Sequence, residues 1–255
     1  MKRRTVDEMP EGLLVNREWF ERHGVTRPNQ DYYLHTGRLH AVRRGLYTRR
    51  VVPLKWQHVV YSLLEMGTPV HVGGRSALEL AGLAHFVNPE GMKSLELYSV
   101  MRPPRWLGQL PVGVEFCWHP DRLFAQPEGT EPPGLDSTTF GTWEWRIPVS
   151  SPERAILEFL EQVPGRESFQ HADLLMENAV NLSPKKLMPL LLACRSVKVK
   201  RLFLWFSGRH GHAWSKRLDV GALDLGTGKR SLTKGGSLDG KYQITVPKEM
   251  AIRRP

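Results

Sequence analysis

Four arginines crowd a short stretch of this chain: Arg43, Arg44, Arg49 and Arg50 surround Gly45 and the run Leu46–Thr48. Guanidinium groups at that density suit phosphate oxygens, which each can meet with two parallel N–H donors. Just upstream stand Arg27, Asn29, Gln30, Tyr32 and Tyr33, followed by Arg38. In a duplex major groove Arg pairs with guanine, and Asn or Gln with adenine. Arg27, Asn29, Gln30 and Tyr33 are therefore candidates for base edges, with Tyr32 beside them on the outer side. Arg38, Arg43, Arg44, Arg49 and Arg50 are candidates for phosphates. A solvated amphipathic helix in an unrelated small domain is the competing reading of the same residues.

The elements that must present these side chains are legible. Asn16 can cap a helix over Arg17–His23, which carries Trp19, Phe20 and His23 on one face and ends at Gly24. Thr26 can cap a second helix from Arg27 to Thr36, stopped by Gly37. Leu34 is its one clear core anchor, with Tyr33 a helper. Leu39–Val42 and Leu46–Arg49 read as two short strands, and Gly45 permits the reversal between them. Helix, turn, helix and basic hairpin make a winged helix-turn-helix.

Other chemistries fail on spacing. Gly226-Thr227-Gly228-Lys229 is not a phosphate loop, because Leu223 and Arg230 occupy the places of its first glycine and its Ser or Thr. Gly73-Gly74-Arg75 could hold an anion at a helix start or be a tight turn. His210-Gly211-His212 lacks nearby third and fourth ligands, so a loop of solvated or phosphate-facing histidines is preferred to a metal site. Glu153, Glu158, Asp173 and Glu177 read as exposed helix charges. Asp239-Gly240-Lys241 is the one nuclease-like triplet, but its glycine places it in a hairpin turn with no partner acid evident. No catalytic residue, metal or cofactor is expected.

Charge is unevenly spread along the 255 residues, whose formal net charge is +10. Residues 1–55 hold 12 basic and 6 acidic side chains, residues 56–194 hold 10 and 16, and residues 195–255 hold 14 and 4. A polyanion would approach an end. In the basic carboxy-terminal part, Lys198, Lys200, Arg201, Arg209, Lys216 and Arg217 interleave with Leu202–Phe206. That pattern suits a surface for nucleic acid or an acidic partner, or equally a buried helix with a charged rim. Two cysteines, Cys117 and Cys194, form no disulfide framework and fit a reducing cytosol as small core residues. Met1-Lys2-Arg3-Arg4 is followed by no apolar run, so no signal peptide is expected, and no segment is apolar enough to span a bilayer.

Along the rest of the chain, residues 1–12 read as loose. Helices are expected over Trp56–Met66, Arg75–Leu83, a segment begun by Ser150 or Ser151 and ended at Pro164-Gly165, Ser168–Asn178, Ser183–Cys194 and Val197–Arg209. Strands are expected over Pro69–Val72, Ser94–Val100, Val112–Trp118 and Trp143–Val149, with Lys229–Thr233 and Lys241–Val246 as a closing hairpin. Pro127–Gly134 reads as turns or a loop. The class is α+β: an amino-terminal winged helix-turn-helix over 1–55, then a larger mixed domain over 56–255 with possible lobes 56–165 and 166–255.

These residues resemble the AbiEi family, the antitoxin half of type IV (abortive infection) toxin–antitoxin systems. The likeness lies in Val25–Thr36 leading into Gly37-Arg38-Leu39, then Arg44-Gly45-Leu46-Tyr47, and in Val70–Gly74 with Ser76-Ala77-Leu78. It continues through Ser151-Pro152-Glu153-Arg154-Ala155, and is most distinctive in Phe169–Met176, Ala193–Trp205, His210–Leu218 and Gly240–Met250. The chain departs from the family in carrying Asn29 and Gln30 where apolar residues are frequent. The resemblance implies a winged-helix repressor joined to an antitoxin domain, two copies binding inverted repeats in their own promoter. It also implies a nucleotidyltransferase-like toxin as partner, and no enzymatic activity. Direct sequestration of that toxin, with DNA binding secondary, is the alternative division of labour.

Overall fold

The computed structural model describes residues 6–83, 92–127 and 129–251. The run Met1-Lys2-Arg3-Arg4 lies outside them, as does Glu128 of the proline-rich stretch. The fold is α+β, and its contacts gather into two compact units. The first lies within 1–72, 90–120 and 137–149, and the second within 73–89, 121–136 and 150–255. Residue 55 therefore falls inside the first unit.

In the first unit, α1 (Arg17–Arg22) begins where the Asn16 side chain accepts from the Trp19 N–H at 2.8 Å. α2 (Arg27–His35) follows Gly24, whose φ of +75° turns the chain. Thr26 holds the cap position of α2 but makes no side-chain cap bond. Strands β1 (His40–Arg43) and β2 (Leu46–Thr48) pair antiparallel around Gly45, at φ +77°. Val15 bridges to Tyr47 on the other side of the hairpin, with reciprocal N–H to carbonyl bonds of 2.9 Å.

The amino-terminal segment is not loose as expected. Val6–Glu8 is a turn of 3-10 helix, and Val6, Met9 and Leu13 are buried with Trp19, Phe20, Leu39 and Tyr47. Apolar side chains at such spacing each gain ~1.5–3 kcal/mol from full burial, enough to fix a segment whose other residues are polar.

Below the wing, α3 (Trp56–Glu65) buries Val59, Val60 and Leu63 in one cluster with Val72, Leu95, Leu97 and Ile147. These last residues belong to a mixed five-stranded sheet in the order β5-β4-β3-β7-β6. Its strands are β3 (His71–Val72), β4 (Ser94–Ser99), β5 (Glu115–Pro120), β6 (Leu135–Phe140) and β7 (Trp145–Ser150). β3 runs antiparallel to β4 and parallel to β7, while β4 and β5 are parallel. The polar edge strand β6, with the sequence Leu-Asp-Ser-Thr-Thr-Phe and four exposed central residues, has no counterpart among the expected strands.

The second unit contains the short α4 (Gly74–Leu80) and four longer helices, α5 (Pro152–Glu161), α6 (Phe169–Asn178), α7 (Pro184–Ala193) and α8 (Val197–His210). Ser151, not Ser150, caps α5, accepting from the Arg154 N–H. β8 (Ser237–Asp239) pairs antiparallel with β9 (Ile244–Val246), so the first strand of the closing hairpin lies later than the expected Lys229–Thr233. Arg230 instead makes an isolated parallel bridge to Ile244.

Candidate nucleic-acid interface

α2 divides its residues by depth. Gln30 is buried at 2% exposure, and Tyr33 and Leu34 are half-buried, at the three- and four-residue spacings that mark an inner face. Arg27, Asn29, Asp31, Tyr32 and His35 are exposed, Tyr32 at 58%. Gln30 is thus a correction to the expected base readers. Its Nε2 donates to the Val25 carbonyl at 3.0 Å, tying α2 to the turn before it. Tyr33 is held between Tyr32, at 5.8 Å between ring centroids, and the Arg38 guanidinium, 4.9 Å above its ring.

One carboxylate, Asp31, lies on the exposed side of α2. The Arg17 guanidinium reaches it at 3.4 Å while its Nε donates to the Tyr47 hydroxyl at 3.2 Å. These contacts, the Tyr47 hydrogen bond foremost, raise the Arg17 pKa. Arg17 therefore offsets the one negative charge on the exposed side of α2.

The wing arginines do not all stand alone. Arg38 pairs with Asp7, and that hydrogen bond is the main cause of its raised pKa. Arg49 donates to the Asp7 backbone carbonyl and lies 3.9 Å from Glu11, which Arg50 meets at 2.8 Å. Arg43 donates to the Gln109 carbonyl at 2.7 Å. Arg44 is exposed at the hairpin turn. Sequence reasoning missed Asp7 and Glu11 because it assigned their segment to a loose end. The spacing of Val6, Met9 and Leu13 was the available clue. Ion pairs at such exposed positions are screened by water and contribute little to stability, so these arginines can exchange their partners at little cost.

The carboxy-terminal candidates fare differently. Lys198 Nζ donates to the carbonyls of Glu161 and Val163, at 2.5 and 2.9 Å, and burial lowers its pKa. Lys200 and Arg201 are only 5% and 3% exposed. The Arg201 guanidinium donates to the carbonyls of Leu225, Gly226 and Gly228 at 2.8, 3.0 and 2.7 Å, and to Gln243 at 3.3 Å. Arg209 forms a fork on Asp173 and donates to the Met250 carbonyl. These four are corrections: Lys198, Arg201 and Arg209 staple the second unit internally, and Lys200 is buried, instead of facing a partner. Lys216 and Arg217 alone of this set are exposed.

The remaining motifs resolve in the same way. His210 Nε2 bonds Asp173 and His212 Nε2 bonds the Met176 carbonyl, so the expected solvated loop is a packed one. Among the described residues no group of His, Cys, Asp and Glu is placed to hold a metal ion. Asp239 caps the Tyr242 N–H within the hairpin. The anion at the Gly73-Gly74 helix start is internal, since Glu158 accepts from the Gly74 N–H at 2.9 Å. Glu158 also accepts from Ser150 and Arg154, and Arg154 continues to Asp121 at 2.8 Å. Glu153 and Glu158 are therefore buried, contrary to expectation, and serve as partners of backbone and arginine. Cys194 is buried, with its thiol pushed up to about 11 by that burial, whereas Cys117 is only half-buried. No helix among the described residues is long and apolar enough to cross a membrane.

Within the first unit, α1, α2 and the basic hairpin β1–β2 make a winged helix-turn-helix, a fold of the regulator type. Family models carry the identification further. Residues 2–89 match the "Transcriptional regulator, AbiEi antitoxin N-terminal domain", and residues 93–247 match "Transcriptional regulator, AbiEi antitoxin, Type IV TA system". The chain belongs to the AbiEi antitoxin family of type IV toxin–antitoxin regulators. Among solved structures it is similar to the crystal structure of RV2827C protein from Mycobacterium tuberculosis. That likeness has a TM-score of 0.52 and 14% identity, covers 94% of this chain and 87% of the other, and concerns the fold alone. No curated protein matches.

Proposed function

We propose that this chain is a DNA-binding autorepressor in which residues 1–55 contact DNA and residues 56–255 carry the antitoxin activity. Two copies bind inverted repeats in the chain's own promoter, and the antitoxin part counteracts a nucleotidyltransferase-like toxin without catalysing a reaction. One observation carries the DNA reading: α2 buries Gln30 and half-buries Tyr33 and Leu34, while it leaves Arg27, Asn29 and Tyr32 open on its other side. A helix of that kind, flanked by an arginine-bearing hairpin, is suited to a major groove with phosphates on either side. Base readout falls to Arg27 and Asn29. Phosphate contact falls to Arg44 first, and to Arg38, Arg43, Arg49 and Arg50 once they exchange their present partners.

The test uses the full chain and a duplex spanning its own promoter. Asn29→Ala is expected to relax preference at a single base pair by ~1–3 kcal/mol, leaving affinity for random duplex unchanged. Equal loss on promoter and random DNA would show that Asn29 does not read a base. The same variant, tested for rescue of cells from the toxin encoded beside it, is expected to keep full rescue. Loss of rescue would contradict the division between the two parts.

A further inference from the structure

Within the first unit, two carboxylates hold three of the arginines assigned to phosphate. Asp7 pairs through its side chain with Arg38 and through its backbone carbonyl with Arg49, while Glu11 lies against Arg49 and Arg50. A carboxylate offers a guanidinium the same planar pair of acceptors that a phosphate offers. The segment bearing these acids is pinned, since Val6 and Met9 before Glu11 and Leu13 after it are buried. Gly12 sits at φ +81°, and a Cβ there would come within 2.7 Å of the His58 ring. The acids cannot leave with a loose tail. Their side chains nonetheless remain in water, at 62% exposure for Asp7 and 43% for Glu11. Their burial thus contributes little to the core, and the position of their charge is the feature to explain.

We infer that Asp7 and Glu11 are built-in competitors of DNA phosphate, which hold down the chain's affinity for any duplex by occupying the forks of Arg38, Arg49 and Arg50. The inference rests on the DNA-binding reading above. It gives the segment a signed role: each arginine must give up a carboxylate before it takes a phosphate, so fewer counterions are released than the arginine count implies. The rival role, in which the acids hold the arginines in the geometry that DNA needs, predicts the opposite sign.

The experiment measures binding of the full chain to a fluorescent random-sequence duplex of roughly 24 bp across a series of KCl concentrations. Three proteins are compared: the wild type, D7N/E11Q, and E18Q/E21Q, which changes net charge equally on exposed residues of α1. D7N/E11Q is expected to bind about 3- to 10-fold tighter at moderate salt, with a slope of log K against log salt steeper by up to ~2. E18Q/E21Q is expected to do distinctly less. Weaker or unchanged binding by D7N/E11Q overturns the inference while leaving the DNA reading intact. Equal gains in both variants also overturn it, because net charge alone would then suffice. If the wild type binds neither this duplex nor its own promoter, the DNA reading itself falls. Should D7N/E11Q melt well below the wild type, Glu11→Gln alone carries the test, with about half the change in slope.

Discussion

The two basic regions of this chain look alike in composition and differ in what their cations do. In the first unit Arg38, Arg49 and Arg50 meet carboxylates at the surface, and Arg44 is exposed. In the second, Arg201 is held by four carbonyls, Lys198 by two, and Arg209 forms a part-buried fork with Asp173. A cation held on several part-buried backbone carbonyls at once is a structural staple, because releasing it breaks several charged hydrogen bonds together. A cation paired in water can exchange its partner at little cost. Charge density along a sequence does not separate these cases. The number of apolar neighbours does: Leu202–Phe206 run beside Lys200 and Arg201, while the wing arginines are interrupted by a glycine turn.

The largest effect is expected at Arg201. Arg201→Met removes the donors from four backbone carbonyls. Hydrogen bonds from a charged donor contribute ~1.5–3 kcal/mol, and water can replace Arg201 at the exposed Gly226 and Gly228, so a total loss of about 3 kcal/mol is expected in urea unfolding. Affinity of the folded protein for duplex should be unchanged. A selective loss of binding with stability intact would instead place Arg201 on a contact surface.

Gln30 sharpens the same contrast inside α2. Gln30→Leu deletes the bond to the Val25 carbonyl, which should lower stability by ~1 kcal/mol and leave base preference as it was. Relaxed preference at one base pair, with stability held, would return Gln30 to the DNA side.

A smaller effect is expected from His58, whose ring meets Phe140 and Trp145 edge-on and whose Nδ1 accepts from the Lys55 N–H. Burial first, and then the charge of Lys55, lowers its pKa below the usual 6.5. As pH falls below 6.5 the unfolded chain takes up a proton before the folded one does, so stability declines from there down to the depressed folded value. His58→Gln should flatten this part of the stability profile. An unchanged acid limb would assign the decline to other groups.

Much of the fold was legible because local signals agreed. Asn16, Ser151, Ser168 and Ser196 each accept from an N–H of the helix they begin, and Gly24, Gly37 and Gly45 supply positive φ where the chain turns. Strand β6 was not legible, since its polar residues are exposed and an edge strand needs no apolar alternation. The buried charges of α5 were hidden for a different reason. Periodicity counts Glu153, Arg154 and Glu158 as outward residues, and only tertiary partners such as Asp121 and the Gly74 N–H make their burial affordable. On α2 the expected base readers divide: Arg27 and Asn29 are exposed, while Gln30 is buried and Tyr33 half-buried on the inner face. The acids that hold the wing belonged to a segment whose three buried anchors are too few to register as an element.

The central claim is that the wing and the open side of α2 meet one duplex together, and the salt dependence of binding tests it most directly. Roughly five arginine–phosphate contacts would give a slope of log K against log salt of about −4 to −5 per copy, and with Asp7 and Glu11 competing the full chain should show about −3 to −4. Arg43→Ala with Arg44→Ala should flatten it by up to ~2 without altering the melting temperature. An unchanged slope would mean that the hairpin never touches the phosphate backbone, and would contradict the account.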